Sequence, residues 1–259
     1  MRSDARAAAL RAEGFEVLQA SVLGDAVAEH VDARTRVVVA FPPDGETDAR
    51  IAPLIARASH VVYISSTGVY GERRGVVDDR TPVPASPPPS ERAAKVLAAE
   101  AAYRAHGATV LRCPGIYGRD RGLHVRIMKG EHRIPGDGTR FLSRIHVDDL
   151  AQLVLAAASH GSAHGAVPGS PATYVVGDLE PAAHIEVVRF IAEAYGVAVP
   201  PCVPLDSVHE SLRADRRVDA SRALSELGVT LRYPTFREGM APSATGLTAR
   251  AVSGLPVQV

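Results

Sequence analysis

The chain has 259 residues, 46% of them hydrophobic and 22% charged, with 29 basic residues balancing 29 acidic ones. That length suits one large α/β domain, or a domain with a small lobe, in an ordinary globular composition. The even charge offers no stripe for nucleic acid, no apolar run approaches a membrane span, and the two cysteines, Cys113 and Cys202, build no disulfide framework.

Ser3 to Glu13 reads as a short helix stopped by Gly14, and Phe15 to Leu18 as a strand. A short helix is expected near Asp25 to Val31. The continuous apolar run 36–41 has the character of a parallel strand buried on both faces, ended by Pro42-Pro43-Asp44-Gly45. A helix near Thr47 to Ala58 leads into a strand at 61–65. The proline-rich segment from Pro82 to Pro89 is a surface loop by composition. Ser90 offers an N-cap for a long helix through His106, stopped by Gly107, and Ala108 to Arg112 is the next strand.

The second half is less regular. Phe141 to His146 reads as one short strand, with Asp148 or Asp149 capping the helix through Ala158. A strand at 174–176 follows, then a helix opening at Pro181 with an apolar face of Ile185, Val188, Ile191 and Tyr195. Ala220 to Leu227 is a further helix, and the chain after Met240 reads as a loose tail. Strands alternating with helices predict a doubly wound parallel sheet. The expected division is 1–160 for the sheet domain, 161–240 for a small α/β lobe and 241–259 for the tail. Ten scattered histidines show no zinc-site spacing, so no metal is expected. With no apolar secretory segment at the start and no disulfides, a cytoplasmic location is expected.

Chemistry concentrates at the end of one strand, His60-Val61-Val62-Tyr63-Ile64-Ser65-Ser66-Thr67-Gly68-Val69-Tyr70-Gly71. In open parallel α/β sheets, ligands bind outside the carboxyl ends of the strands. A serine there also caps turns, so position alone leaves Ser66 between a structural and a chemical role. Glu91 and Lys95 form an ordinary i,i+4 helix pair. No Gly-x-Ser-x-Gly elbow and no phosphate-binding Gly-Lys-Ser/Thr after a strand is present.

The stretch around Ser65 and Ser66 resembles the Ser-Ser-x-x-Val-Tyr-Gly signature of extended short-chain dehydrogenases/reductases, the group that includes NAD-dependent epimerases and dehydratases. Three further segments are similar to that family in order. They are Leu111-Arg112-Cys113-Pro114-Gly115-Ile116-Tyr117-Gly118, Arg144-Ile145-His146-Val147-Asp148-Asp149 and Tyr174-Val175-Val176-Gly177-Asp178. The segment from Asp219 to Gly228 also resembles the family's late Asp…Lys…Leu-Gly stretch.

The resemblance implies a Rossmann-like fold and NAD or NADP as cofactor, with NADP favoured by Arg2 at the ribose 2′-phosphate position. It implies hydride chemistry on a small carbonyl or hydroxyl compound, such as a nucleotide sugar. Ser66 would stand at the substrate oxygen. Phe41, Pro42, Pro43, Ser65, Pro114, Gly115 and Ile116 would lie along the cofactor, and Thr67, Tyr70, Tyr117, Arg144 and His146 along the substrate. The family's Tyr-x-x-x-Lys falls where Lys95 is present but Glu91 replaces the tyrosine; shifted by one residue, Arg92 and Val96 stand there instead. Glu91 is then a substitute base, and Asp48 falls near a family asparagine.

The family's opening Gly-x-x-Gly-x-x-Gly β-α-β unit has no counterpart in the sequence, so the sheet is expected to be incomplete at its amino-terminal side and the chain a shortened form. The run 36–41 would then be an exposed edge, open to re-pairing or homo-oligomer formation. The alternative function is a non-catalytic cofactor-binding sensor. Neither reading implies a nucleic-acid or membrane partner.

Overall fold

The structure, a computed structural model, describes residues 3–20, 23–84, 88, 90–160, 172–209 and 212–247. In chain order the first half comprises α1 (Asp4–Ala12), α2 (Ala26–Glu29), β1 (Arg36–Val39), α3 (Thr47–Ile55), β2 (His60–Ser66), a 3-10 turn (Thr67–Tyr70), β3 (Arg74–Val77), α4 (Glu91–Arg104), β4 (Thr109–Cys113) and β5 (Gly115–Tyr117). Next come α5 (Leu123–Met128), β6 (Ile134–Pro135), β7 (Phe141–Leu142), β8 (Arg144–His146), α6 (Val147–His160), β9 (Thr173–Val175) and β10 (Ala182–Ala183). The chain then runs through α7 (His184–Tyr195), β11 (Cys202–Val203), β12 (Asp215–Val218), α8 (Ser221–Leu227), α9 (Phe236–Gly239) and α10 (Pro242–Thr245).

Among the described residues, β1, β2, β4 and β9 form a parallel sheet in that order, the parallel α/β sheet expected of a Rossmann-like fold. Alternation along β2 sends Val61 and Tyr63 toward α3 and α4, where they meet Ile51, Ile55, Ala99 and Tyr103. Val62 points the other way, into a core with Leu111, Leu150, Leu153 and Leu227 under α6 and α8. Helices therefore cover both faces, and the parallel pairing of all four strands puts their carboxyl ends on one rim. A third core, with Tyr117, Ile134, Val188, Ile191 and Phe236, belongs to the second half.

Several expectations are corrected. Residues 15–18 form no strand: Arg11 donates to the Val17 carbonyl and to Gln19, and Gln19 donates to Asp4, folding the segment back on α1. Phe15 stays 58% exposed. The run 36–41 shortens to β1 and is not buried on both faces, since Val38 is 44% exposed and, among the described residues, only β2 pairs with it.

The single strand expected over 141–146 breaks at Ser143. β7 pairs antiparallel with β10, whereas β8 pairs parallel with β5. The Ser143 hydroxyl causes the break by accepting the Val218 N–H and donating to the Arg216 carbonyl. Neither Asp148 nor Asp149 caps α6; the His146 Nδ1 accepts the Asp148 N–H, and Asp149 takes the N–H groups of Arg232 and Tyr233. α7 begins at His184 rather than Pro181, and it ends at Gly196 with φ +63°, the left-handed conformation glycine adopts without strain. The start of the expected tail forms α10, with Thr245 buried.

Candidate functional site

The parallel ladder aligns Val39 with Tyr63 and Ser66 with Cys113. Phe41, Pro42 and Pro43 leave the end of β1, Ser65 and Ser66 end β2, and Pro114, Gly115 and Ile116 follow β4. Residues far apart in sequence thus line one rim because their strands are adjacent. Phe41, Pro43, Ser66, Pro114 and Ile116 are half-buried, while Pro42 and Gly115 are exposed. Arg2 lies outside the described residues.

Ser66 is in extended conformation, and its hydroxyl oxygen accepts the Gly68 N–H at 3.1 Å as the chain enters the 3-10 turn. Gly71, at φ +59°, closes that turn. Thr67 is buried within it. Ser65 faces the opposite way and donates to Glu100 Oε1 at 2.6 Å. Arg112 grips the same carboxylate with two bonds, Nε to Oε1 at 2.9 Å and Nη2 to Oε2 at 2.7 Å. Its Nη1 donates to the Tyr70 hydroxyl at 3.1 Å, and that hydroxyl donates to the Asp78 carbonyl at 3.1 Å. Burial opposes the Arg112 charge, but the Glu100 carboxylate outweighs it and holds the guanidinium firmly protonated.

Ser90 caps α4 by accepting the Ala93 N–H. Glu91 and Lys95 then form a surface pair at 2.7 Å, with side chains 83% and 42% exposed. The hydrogen bond between them pushes the Lys95 pKa up and the Glu91 pKa down. Glu91 is thus a stabilised carboxylate, the opposite of a base tuned toward neutrality. Lys95 lies beside Gly45, and Asp44 adds to its attraction, so it reaches the rim by the β1–α3 loop. Arg92 is exposed and Val96 is in the core. Asp48 is buried and accepts the Tyr103 hydroxyl at 3.0 Å; burial raises its pKa.

The phenols are deep. Burial raises the pKa of both Tyr70 and Tyr117, and a Cβ on Gly239 would collide with the Tyr117 ring and hydroxyl. Arg144 is 5% exposed, packs over the Phe236 ring, and has its pKa lowered by burial. His146, 6% exposed, lies against Tyr117 and Tyr233. Burial lowers its pKa, and the Nδ1 acceptor role puts the ring proton on Nε2. Tyr117, Arg144 and His146 are thus all buried. Tyr70 is different: with Gly71, Glu72, Arg73, Pro82 and Val83 it lines a cavity of about 610 Å³.

A second cavity of about 320 Å³ shares Glu72 and brings together Arg74, Arg140, Asp206 and Arg213. Sequence reasoning missed these arginines, because β3, the segment after β6 and the segment before β12 meet only in the fold. It also missed Glu100, although a charge at the core-facing spacing of Ala93, Val96 and Tyr103 was a readable signal. Among the described residues, no group of three His, Cys, Asp or Glu side chains is placed to hold a metal ion, and no helix is long and apolar enough to cross a membrane.

A family model, NAD dependent epimerase/dehydratase family, matches residues 26–177. The solved structure of a functionally unknown conserved protein from Silicibacter pomeroyi DSS is 30% identical, with TM-score 0.77 over 95% of this chain and 88% of that one. MoeE5 in complex with UDP-glucose and NAD is 24% identical, with TM-score 0.64 over 80% of this chain and 71% of its own. Human epimerase family protein SDR39U1 (isoform2) with NADPH is 15% identical, with TM-score 0.64 over 82% and 81%. The latter two likenesses are of fold. No curated protein matches the sequence. The family match spans the strand ends and turns of the rim, so fold, motif order and sequence likeness converge: the chain belongs to the NAD dependent epimerase/dehydratase family.

Proposed function

We propose that the protein carries out NAD(P)-dependent, epimerase-like redox chemistry on a nucleotide sugar. The observation that carries this reading is the position of Ser66: at the carboxyl end of a central strand, half-buried, its oxygen holding the Gly68 N–H. Among the described residues that hydroxyl's own proton has no acceptor, so it is available to a substrate oxygen. The neighbouring structures that hold NAD with a UDP-sugar, or NADPH, support the cofactor class.

The rim fits the nicotinamide half of such a cofactor. Pro114, Gly115 and Ile116 offer a partly open, largely apolar wall beside Ser66, and Gly115 has only the Ser143 carbonyl near its Cβ position. Lys95 stands on the same rim for the nicotinamide ribose. A bound nicotinamide supplies hydride acceptance and donation. The protein's own share is to orient the substrate oxygen through Ser66 and to hold the substrate's charged end. Arg74, Arg140 and Arg213 suit that second task, since with Glu72 and Asp206 they line one cavity, and Glu72 also lines the cavity beside Tyr70. A diphosphate matches such a site.

A second reading, a cofactor-binding sensor without turnover, is favoured by the phenols. Tyr70 spends its hydroxyl on Asp78 and Arg112, Tyr117 is buried, and neither Glu91 nor Arg92, the two positions where the resemblance implies a tyrosine, is one. Calorimetric titration with NADH and NADPH, followed by turnover assays with UDP-sugars, separates the readings. Saturable cofactor binding with turnover supports the first; binding without turnover supports the second. A folded protein that binds neither cofactor overturns both.

A further inference from the structure

We propose that Glu100 and Arg112 are positioning residues that hold the Ser66 turn at both of its ends; the proposal rests on the reading of Ser66 as the group at the reacting oxygen. The two residues flanking the segment 66–69 are Ser65 and Tyr70. Ser65 donates to Glu100, and Tyr70 accepts from Arg112. The ion pair between them is bidentate, and its side chains are only 3% and 7% exposed. Relaxation of either end therefore requires a hydrogen bond to be broken in a buried setting, where an unmade bond is costly.

A buried ion pair must satisfy its remaining donors and acceptors, and this one does so at the two residues that flank the turn. Buried ion pairs contribute little net stability compared with apolar packing of the same shape, because desolvation offsets their attraction. This pair instead shares Glu100 Oε1 between Ser65 and Arg112, and it commits the remaining Arg112 nitrogen to Tyr70. Tyr70 is fixed again by its bond to Asp78. The side-chain chain thus runs from the end of β2 through α4 and β4 to the far side of the turn. Strand alternation turns Ser66 away from it, toward the rim.

Two variants cut the links while sparing the ion pair: Ser65→Ala and Tyr70→Phe. Hydrogen exchange of the amides in 66–71 is followed in both, with the amides of α7 as the internal reference for global opening. The expected result is exchange in 66–71 faster by on the order of tenfold with α7 unchanged. Turnover should show kcat falling by a similar factor with KM nearly constant, since small misplacements of a reacting group are costly in rate. Glu100→Gln should give the same local signature more strongly, with partial retention of protection in Arg112→Lys.

Unchanged exchange in 66–71 in both Ser65→Ala and Tyr70→Phe overturns the proposal. So does exchange that rises equally in α7. The underlying reading fails separately, if Ser66→Ala keeps full turnover while the exchange differences persist.

Discussion

At the scale of single residues, hydrogen-bond direction separates roles that side-chain chemistry leaves open. Ser65 and Ser66 are adjacent and identical, yet one donates into a buried ion pair and the other accepts a turn amide. Replacing Ser66 with Ala should leave cofactor affinity intact and lower turnover by roughly 10²-fold, measured as conversion of a UDP-sugar to product. Glu91 provides a contrast. It is exposed, and Lys95 holds its carboxyl below the usual range. Glu91→Gln should therefore leave both the unfolding midpoint and turnover unchanged; a collapse of turnover alone would restore Glu91 as a base. Ser66 was legible because its signature is local. Glu100 was readable only as a charge at a core-facing helix position; its pairing was not, because its partner Arg112 belongs to the next strand and Ser65 to the preceding one.

Secondary-structure elements were readable wherever local physics decides them. α4 starts at the Ser90 cap, and α7 ends at Gly196, both within a residue of the position the sequence indicates. Expectations failed where a long-range partner intervenes. Ser143 splits one expected strand because β12, more than seventy residues on, supplies the groups it binds. The segment 15–18 has strand-like residues, but side chains on α1 and Gln19 claim it. α9 shows the same dependence. Thr235 and Glu238 form a capping box that fixes the start of α9, and Gly239 packs against the Tyr117 phenol of β5. Gly239→Ala should cost about 1–3 kcal/mol in chemical denaturation, since the added methyl has no room. An unchanged midpoint would mean that α9 shifts freely.

For the molecule as a whole, buried ionisable groups in the second-half core set a pH response. His132 and His184 meet Nε2 to Nε2 at 2.9 Å, and burial lowers their pKa values from 6.5 to about 4 and about 3. Arg126 bears on both, Arg133 on His132 and Arg144 on His184, all opposing protonation. The folded state therefore binds these protons less tightly than the unfolded chain. Their contribution is complete above pH 6.5 and is lost as pH falls toward 4 and 3. Asp178 acts in the opposite direction. Burial, only partly offset by Arg144, raises its pKa from 3.8 to about 7, so its contribution is complete below 3.8 and is lost as pH rises through 7. Two histidines outweigh one carboxyl, so unfolding free energy should fall on acidification below 6.5. Asp178→Asn should steepen that fall, as measured by urea unfolding across a pH series; an equal or shallower slope would refute the assignment.

What the sequence by itself determined is what short segments carry: the alternation of strand and helix, the caps and glycine stops, the serine turn and the order of family motifs. Those features depend on backbone propensity and on residues within one turn or strand of each other. The tertiary structure alone decided which strand ends share a rim, that Glu100 and Arg112 bracket the Ser66 turn, and that Arg74, Arg140 and Arg213 face one cavity. The reason is physical. Desolvation, ion pairing and cavity shape depend on groups brought together from distant positions, and no local pattern encodes their distance or burial.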